Sequence, residues 1–243
     1  MITLLIATRN AHKVEEIRAI LGERFQYLTL NDFPNAPKVI EGAAALAGNA
    51  ARKAVELARW LAEGGGRKSR RQARGEFFVL ADDSGLEVDA LGGAPGVHSA
   101  RFAALDSGRP DNSASAENNA KLLRLLKDVP PEKRTARFRC VLALTPVVAP
   151  EKETASPACQ ANEPGLLTEL FEGACEGWIA LARRGQGGFG YDPLFVPVGY
   201  DQTFAELGEA LKNQLSHRAR ALAKLKRRLE GKSAGRRPKP SER

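Results

Sequence analysis

Alternating apolar and polar stretches divide the chain into segments that resemble strands and helices. Residues 2–7 (ITLLIA) form an apolar, β-branched run typical of a buried strand, and the polar residues 8–10 end it. The next apolar positions recur at helical spacing, at Val14, Ile17, Ile20 and Leu21. The beginning of the chain therefore predicts a strand, a polar loop and a helix, and the backbone amides at such a helix start favour anions.

The same patterns predict the elements of the remaining chain. The predicted helices cover residues 43–62, 116–127, 203–211 and 216–229, with Ser216 as an N-cap of the last one. The predicted strands cover residues 77–81, a central strand at 137–145, two strands around Gly173 within 166–182, and 194–198. Because strands and helices mix without a regular βαβ alternation, we expect an α/β or α+β domain with a mixed sheet.

The chain is organised around residues 77–102, FFVLADDSGLEVDALGGAPGVHSARF. A short apolar strand leads into Asp82 and Asp83, and we expect the following Ser84-Gly85 pair to end the strand in a turn. Ligands of open α/β sheets bind at the carboxyl ends of strands. Two adjacent carboxylates repel each other, and Mg²⁺ commonly pairs such groups with substrate phosphates. A solvated Asp-Asp turn is the alternative, and the glycine-rich residues that follow favour the functional interpretation.

Three other polar motifs are candidates for binding, and each also has an ordinary structural explanation. ATRNAHK (7–13) is either a phosphate loop or a plain strand-helix turn. GGFGYDP (187–193) offers Phe189 and Tyr191 as aromatic faces and Asp192 as a hydrogen-bond acceptor, but a hairpin with buried aromatics has the same composition. SHRARAL (216–222) places two polar residues in the first turn of a helix, where anions are favoured, or it is a capped surface helix.

Composition and charge narrow the class of protein. The 243 residues are 43% hydrophobic, enough for a globular core, and no stretch approaches the ~20 apolar residues of a membrane span. The N-terminus lacks a basic n-region, so we expect a first strand rather than a signal peptide, and a cytoplasmic protein without membrane contact. The cysteines at 140, 159 and 175 are too widely spaced for a zinc knuckle and odd in number for a disulfide set. The net charge of +8 suits polyanionic ligands, whether nucleotide or nucleic acid.

Three segments carry no motif and read as additions. Residues 64–76 contain a basic run that we expect to be a structureless, solvated surface loop. Residues 146–164 contain several prolines and read as a loop or insertion. Residues 231–243 are basic with two prolines, and we expect a disordered tail after a single domain at residues 1–230.

Taken together and in this order, the motifs resemble those of the inosine triphosphate pyrophosphatase family, which hydrolyses non-standard purine nucleoside triphosphates. The resemblance extends from Ile2 to about Leu229, and its most specific parts are residues 81–102, 187–195 and 216–218. It implies an α/β fold with an elongated mixed β-sheet flanked by helices, two lobes around a central cleft, and a homodimer.

The resemblance also implies roles for individual residues. Asp83 is the expected water-activating base and a metal ligand with Glu41, while Asp82 is left as a supporting group. The expected substrate contacts are Thr8, Arg9, Asn10, Ala11, His12, Lys13, Lys53, Ser84, Phe189, Gly190, Tyr191, Asp192, Lys212, His217 and Arg218. The chain departs from the family pattern at Arg9, where a glycine is frequent, and at Gly48, where many relatives carry a glutamate.

The expected activity is Mg²⁺-dependent hydrolysis of dITP, ITP or XTP to the monophosphate and pyrophosphate. A related pyrophosphatase acting on modified pyrimidine nucleotides is one alternative. A basic nucleic-acid-binding protein is another, favoured by the charge and the arginine-rich insert. Against specific nucleic-acid binding, the basic residues concentrate in segments expected to lack structure, and aromatic residues make up only 6% of the chain.

Overall fold

The fold is an α/β structure built on a mixed β-sheet, seen in a computed structural model that describes residues 1–108, 111–148 and 167–234. The strands are β1 (Ile2–Ile6), β2 (Gln26–Thr29), β3 (Glu76–Val88), β4 (Thr135–Pro146), β5 (Glu169–Ile179) and β6 (Phe195–Pro197). The helices are α1 (Ala11–Leu21), α2 (Leu46–Ala62), α3 (Arg67–Arg70), α4 (Ser115–Leu125), α5 (Phe204–Leu207), α6 (Glu209–Leu215) and α7 (His217–Ala234).

The described strands form one six-stranded sheet in the order β2-β1-β3-β4-β5-β6. β1 is parallel to β2 and β3, whereas β3, β4, β5 and β6 pair antiparallel. β3 has 13 residues, and a strand of that length spans roughly 40 Å. The mixed, elongated sheet flanked by helices confirms the expected fold class, and β4 is an interior strand as predicted.

Three apolar clusters hold the layers together. One packs α2 against odd-numbered positions of β3, such as Val79 and Ala81. A second packs α7 and α1 against the opposite face, through residues such as Leu80 and Leu225. A third lies further along that same face and contains Leu86 with residues from α4 and β6. The opposite face of β3 therefore has apolar packing at both ends and a gap between them.

The predicted turn at Ser84-Gly85 is wrong, because β3 runs through it to Val88. Residues 78–88 pair in unbroken antiparallel register with residues 146–136 of β4, which supplies partners for the backbone of the DDSG motif. Gly85 serves close packing rather than a turn. A Cβ at this position would lie 2.4 Å from the carbonyl oxygen of Gly96. The two aspartates therefore lie inside a strand and not at its end.

The predicted pair of strands around Gly173 is also wrong, because β5 is one continuous strand from Glu169 to Ile179. Gly173 allows α7 to approach the strand, since a Cβ there would lie 2.1 Å from the carbonyl oxygen of His217. Basic side chains of α7 cover the strand edge. Arg220 donates to the carbonyl oxygen of Ala174 at 2.8 Å, and Lys224 to that of Glu172 at 2.7 Å.

Several smaller boundaries differ from the predictions. The predicted helix 203–211 is interrupted at Gly208, whose φ of +79° separates α5 from α6. The basic insert contains α3 and is not structureless, and α7 continues past residue 230, where the domain was expected to end. β2 was not predicted. Most of the loop 146–164, Cys159 and tail residues 235–243 lie outside the described residues, so the division into one domain and a tail stays a prediction.

Within the described ranges, no helix has the length and apolar character needed to cross a membrane.

Candidate active site

The polar gap between the second and third apolar clusters is the centre of the site. Leu80 belongs to the second cluster and Leu86 to the third, and Asp82 and Ser84 occupy the same face of β3 between them. Alternate residues of a strand point to the same face, so these two side chains face α7. The strand thus directs a carboxylate and a hydroxyl into a cleft with apolar walls.

The predicted phosphate loop lies beside this carboxylate. Asn10 caps α1, because its Oδ1 accepts a hydrogen bond from the backbone N–H of Lys13 at 3.2 Å. Thr8 Oγ1 accepts from the backbone N–H of Asn10 at 3.2 Å. The ammonium of Lys13 forms a short contact with Asp82. Residues 9–12 are exposed, whereas the side chain of Lys13 reaches Asp82 on β3.

Asp82 is buried and bound by several donors. Arg218 Nε donates to its Oδ2 at 2.9 Å, Ser84 Oγ to its Oδ1 at 3.0 Å, and Cys140 Sγ to its Oδ2 at 3.3 Å. Burial alone would raise the pKa of Asp82, but the positive charges of Arg218 and Lys13 outweigh it and hold that pKa well below its usual value. The carboxylate is therefore ionised and joins the phosphate loop to the start of α7.

Glu16 extends the ionic network. Its Oε1 lies 2.8 Å from Lys212 Nζ, and its Oε2 forms a short contact with Arg218. Lys212 Nζ also lies 2.6 Å from Asp192 Oδ2. Burial would raise the pKa of Glu16, whereas the charges of Arg218 and Lys212 lower it overall. The network fixes two of the expected substrate contacts, Lys212 and Arg218, relative to α1.

The ring of Phe189 contacts a charged and an aromatic side chain, Lys212 of the ionic network and His12 of the predicted phosphate loop. Lys212 Nζ is 4.3 Å from its ring centroid, and the His12 ring stacks at 5.3 Å with an interplanar angle of 8°. Asp192 Oδ2 accepts from the backbone N–H of Phe189 at 2.8 Å, which closes the loop. Tyr191 is buried and donates its hydroxyl to the carbonyl oxygen of Ser99 at 2.9 Å. Tyr191 therefore anchors the loop against the segment that follows β3.

His217 is a buried, neutral imidazole at the first position of α7. Ser216 Oγ caps this helix by accepting from the backbone N–H of Ala219 at 3.1 Å, as predicted. The His217 ring stacks on Phe138 at 4.7 Å and 13°. Burial and the nearby charges of Arg218 and Lys212 hold the pKa of His217 well below its usual value. Among the described residues, its Nδ1 has no hydrogen-bond partner.

These elements enclose a cavity of about 230 Å³. It brings together ten of the predicted substrate contacts: Asn10, Lys13, Ser84, Phe189, Gly190, Tyr191, Asp192, Lys212, His217 and Arg218. The predicted contacts outside its lining are Thr8, Arg9, Ala11, His12 and Lys53. Eight further lining residues were not predicted: Gly85, Ser99, Ala100, Asn112, Ser113, Ser115, Asn118 and Phe138.

Asp83 points to the opposite face of β3, toward α2. Its immediate surroundings hold Lys53, Glu41 and the amide of Asn49, and its buried Oδ2 has no hydrogen-bond partner among the described residues. Burial raises the pKa of Asp83 to about 6, against the lowering effect of Lys13 and Lys53. Lys53 Nζ pairs with Glu41 Oε1 at 2.7 Å and reaches the carbonyl oxygen of Asp82 at 3.4 Å.

The donors on this face fit a hard cation. The carboxylates of Asp83 and Glu41 are the oxygen ligands that Mg²⁺ prefers, and the partnerless Asp83 oxygen is free to bind one. No cluster of three or more potential protein ligands occurs in the described part of the chain. A cation here would therefore take further ligands from phosphates or water, as Mg²⁺ usually does.

Comparison with known proteins agrees with this geometry. Residues 4–228 match the Ham1 family. The chain belongs to the Ham1 family. It is 45% identical over 228 residues to the dITP/XTP pyrophosphatase of Geobacillus kaustophilus, covering 93% of this chain and 94% of that one. It is 42% identical over 228 residues to the dITP/XTP pyrophosphatase of Shouchella clausii, covering 94% and 96%.

Solved structures of Ham1 relatives have the same fold. The Ham1 protein of Staphylococcus aureus superposes with a TM-score of 0.71 at 31% identity, covering 95% of this chain and 99% of that one. The nucleoside-triphosphatase (dITP/XTP pyrophosphatase) of Mycobacterium abscessus gives a TM-score of 0.64 at 37% identity, covering 92% and 98%. The family expected from the motifs is thereby confirmed.

Two buried residues outside the cavity lining of this Ham1-family site, Glu16 and Asn49, were also not predicted from the sequence. Glu16 joins Lys212 to Arg218, and its only signal is a position next to Ile17 on the inward face of α1. Asn49 approaches Asp83 from α2, and its only signal is a polar residue among the buried alanines of that helix. Neither signal distinguishes a site residue from an ordinary buried polar group.

Proposed function

We propose that this protein hydrolyses non-standard purine nucleoside triphosphates, dITP, XTP and ITP, to the monophosphate and pyrophosphate. The observation that carries the proposal is the pairing of a cation-lined cavity on one face of β3 with a buried carboxylate, Asp83, on the other. The relatives named dITP/XTP pyrophosphatases align with nearly the whole chain, which supports the same assignment. Dependence on a divalent cation is general in such a family, and Mg²⁺ is the cation proposed here.

In this proposal the phosphates contact the start of α1, with Lys13, Arg9 and Lys53 supplying positive charge. Lys13 contacts Asp82 in the structure, so a phosphate group replaces or shares that contact. The 6-oxo purine lies in the cavity near Phe189, and Asp192, His217 and Arg218 supply hydrogen bonds. A 6-amino purine leaves donors of this site unmatched, at a cost of about 1–3 kcal/mol for each buried group.

Asp83 acts as the base that orients a water toward the α-phosphorus. Burial holds the pKa of its carboxyl at about 6, close to the value that suits a general base near neutral pH. Asp83 and Glu41 would hold Mg²⁺, which when bound supplies charge neutralisation at the phosphates. Lys53 positions Glu41 through their 2.7 Å ion pair. Positioning and electrostatics are the main requirements of such a phosphoryl reaction.

The direct test is Asp83→Asn assayed with dITP and Mg²⁺, with product phosphates separated by ion-exchange chromatography. We expect kcat to fall by about 100-fold or more. Asp89→Asn is the matched control, because Asp89 follows the same strand and pairs with Arg137 instead. Near-wild-type turnover in Asp83→Asn refutes the assigned base. Release of orthophosphate instead of pyrophosphate refutes attack at the α-phosphorus.

A substrate panel separates this proposal from a pyrophosphatase of modified pyrimidines. Comparison of kcat/KM for ITP, XTP, dITP, dUTP, dTTP and ATP is the relevant measurement. We expect the 6-oxo purines to rank first. A preference for dUTP or dTTP favours the alternative.

The nucleic-acid-binding alternative requires the basic segments. A chain ending at Ala234 lacks the basic residues of positions 235–243, and Arg67→Gln with Arg71→Gln removes exposed charge from the insert. Deleting the whole insert is unsuitable, because the backbone N–H of Arg74 donates to Thr3 Oγ1 at 2.9 Å and so ties the insert to β1. We expect the altered chain to keep its hydrolysis of dITP. If wild type binds nucleic acid and the altered chain loses this binding as its only loss of function, the alternative is favoured.

A homodimer and a cytoplasmic location belong to the same proposal. Light scattering of the purified protein measures the mass in solution, and a monomer mass refutes the dimer. Fractionation of cells that express the native chain tests the location.

A further inference from the structure

We propose that Asn49 is a positioning residue that holds Asp83 and the segment carrying Glu41 in their working arrangement. The inference rests on the proposed function, in which Asp83 is the base. Asn49 is not one of the expected substrate or metal contacts, and it does not line the cavity. It acts through Asp83 and through the backbone of Ala43.

Asn49 uses both ends of its amide. The side chain lies in the first turn of α2 and the residue is 1% exposed. Its Oδ1 accepts a hydrogen bond from the backbone N–H of Ala43 at 2.9 Å. Its amide nitrogen is left to donate to the Asp83 carboxylate, and this interaction with Asn49 acts to lower the pKa of Asp83. An asparagine satisfies both partners, whereas an aspartate could satisfy only the first.

The Glu41 segment depends on such contacts because it has no regular structure of its own. Residues 36–43 form neither helix nor strand. Three side chains of α2 contact the segment. Lys53 pairs with Glu41 at 2.7 Å, Asn49 accepts from the backbone N–H of Ala43 at 2.9 Å, and Arg52 Nη1 donates to the carbonyl oxygen of Ile40 at 3.5 Å. Residues four apart share one helix face, so the contacts of Asn49 and Lys53 lie side by side. Asn49 fixes the backbone, and Lys53 fixes the side chain.

Gly48 shows how closely the segment packs on this turn. A Cβ added at Gly48 would lie 2.8 Å from the Cβ of Ala43, which is too close without a shift. The glycine, found where a glutamate was expected from the family pattern, thus allows Ala43 to approach within reach of Asn49. The local sequence of this chain therefore supports the Asn49 contact.

The consequence for Asp83 is orientation. The Oδ2 atom of Asp83 has no hydrogen-bond partner among the described residues. The orientation of the carboxyl group therefore depends on the contacts that its other oxygen makes. Removing Asn49 takes away a hydrogen bond to that carboxylate and also releases the backbone that carries Glu41. Loss of a group that orients a reactive carboxylate or metal ligand typically costs about 10–100-fold in activity or cation affinity.

The test compares Asn49→Ala and Asn49→Asp with wild type. Amide hydrogen–deuterium exchange of residues 36–45 is measured on the substrate-free protein, and kcat and KM are measured with dITP. Arg59→Gln is the control, because Arg59 is an exposed residue near the other end of the same helix. Thermal unfolding of every variant gives the folded fraction, to which kcat is normalised.

We expect Asn49→Ala to increase exchange in residues 36–45 and to lower kcat by about 10-fold or more, with a smaller change in KM. Asn49→Asp keeps the acceptor for Ala43 and loses the donor to Asp83. It is therefore expected to retain slow exchange while losing kcat. Arg59→Gln is expected to match wild type in both measurements.

Unchanged exchange in Asn49→Ala, or full kcat in Asn49→Asp, overturns the inference. A role limited to stability would lower the unfolding temperature and leave kcat of the folded fraction intact, which also overturns it. If wild type fails to hydrolyse dITP, the proposed function fails. The substrate-free exchange then decides whether Asn49 holds the Glu41 segment, with faster exchange in Asn49→Ala supporting that hold and equal exchange refuting it.

Discussion

Removing the charge of Asp82 is the sharpest test of the buried ionic network. Asp82→Asn keeps the shape of the side chain but removes the anion between Lys13 and Arg218. Arg218 is fully buried, so water cannot solvate its guanidinium group when the Asp82 charge is removed. The amide nitrogen of an asparagine would also face one of these cations as a second donor, leaving two donors opposed.

The expected magnitude follows from burial and from the remaining partners. Unit charges about 4 Å apart attract by about 4 kcal/mol at an effective dielectric constant of about 20. Removing one member of a buried ion pair typically costs about 3–5 kcal/mol. Arg218 keeps its contact with Glu16 after the substitution, and Lys13 is only partly buried. We therefore expect a loss near 3 kcal/mol, a large share of an ordinary protein's stability.

Urea unfolding at pH 7, followed by tryptophan fluorescence and circular dichroism, measures this loss. The control is Asp106→Asn, because Asp106 also pairs with a lysine and an arginine, Lys121 and Arg124, but its side chain is half exposed. We expect a clearly smaller change there, since solvent screens exposed pairs. If Asp82→Asn unfolds at the same urea concentration as wild type, Asp82 does not organise the network and the reasoning is refuted.

Three further predictions concern stability. Gly173→Ala places a Cβ 2.1 Å from the carbonyl oxygen of His217, so α7 must shift from β5, and chemical unfolding is expected to show a loss of about 1–3 kcal/mol. Leu225→Ala leaves a cavity at a fully buried position and should lower the free energy of unfolding by about 2–5 kcal/mol. Leu181→Ala, at an exposed position, is the control and should change it by less than about 0.5 kcal/mol. Equal effects of the two substitutions would contradict the assigned core. The pKa of Glu16 is lowered in the folded protein, so its contribution is present above its unfolded pKa and is lost as the pH falls through the lower, folded value. Glu16→Gln should therefore lower the free energy of unfolding at neutral pH. Between pH 7 and pH 3 the variant should lose less stability than wild type does, and an equal loss in both proteins would contradict the role of the Glu16 pairs.

The order of motifs was enough to predict the family and most of the cavity, because those residues act through local sequence. The helix N-cap at Asn10, the loop at residues 187–193 and the cap at Ser216 each form within a few residues of chain. Each local motif then needs only the correct fold to reach the cavity. Ten of the predicted contacts meet there for that reason.

The parts that were missed depend on contacts between distant segments. Glu16 and Arg218 are 202 positions apart in the chain, and their contact exists only because α1 and α7 pack on the same face of the sheet. Gly173 and Gly85 were read as breaks because glycine is common in turns. In the structure both sit in continuous strands, where the missing Cβ makes room for another backbone. Sequence composition does not distinguish these two uses of glycine.

The adjacent aspartates show how one wrong element changes the interpretation of a site. A strand that ended after Ala81 would have left Asp82 and Asp83 together in a turn, facing one common cation. Because the strand continues to Val88, alternation sends the two side chains to opposite faces. Asp82 meets Lys13 and Arg218 beside the cavity, and its pKa is far below the usual value. Asp83 meets Asn49 and Lys53 on the α2 side, where burial raises its pKa to about 6. Opposite faces of one strand thus give two neighbouring carboxyl groups opposite pKa shifts, one suited to holding cations in place and the other to accepting a proton.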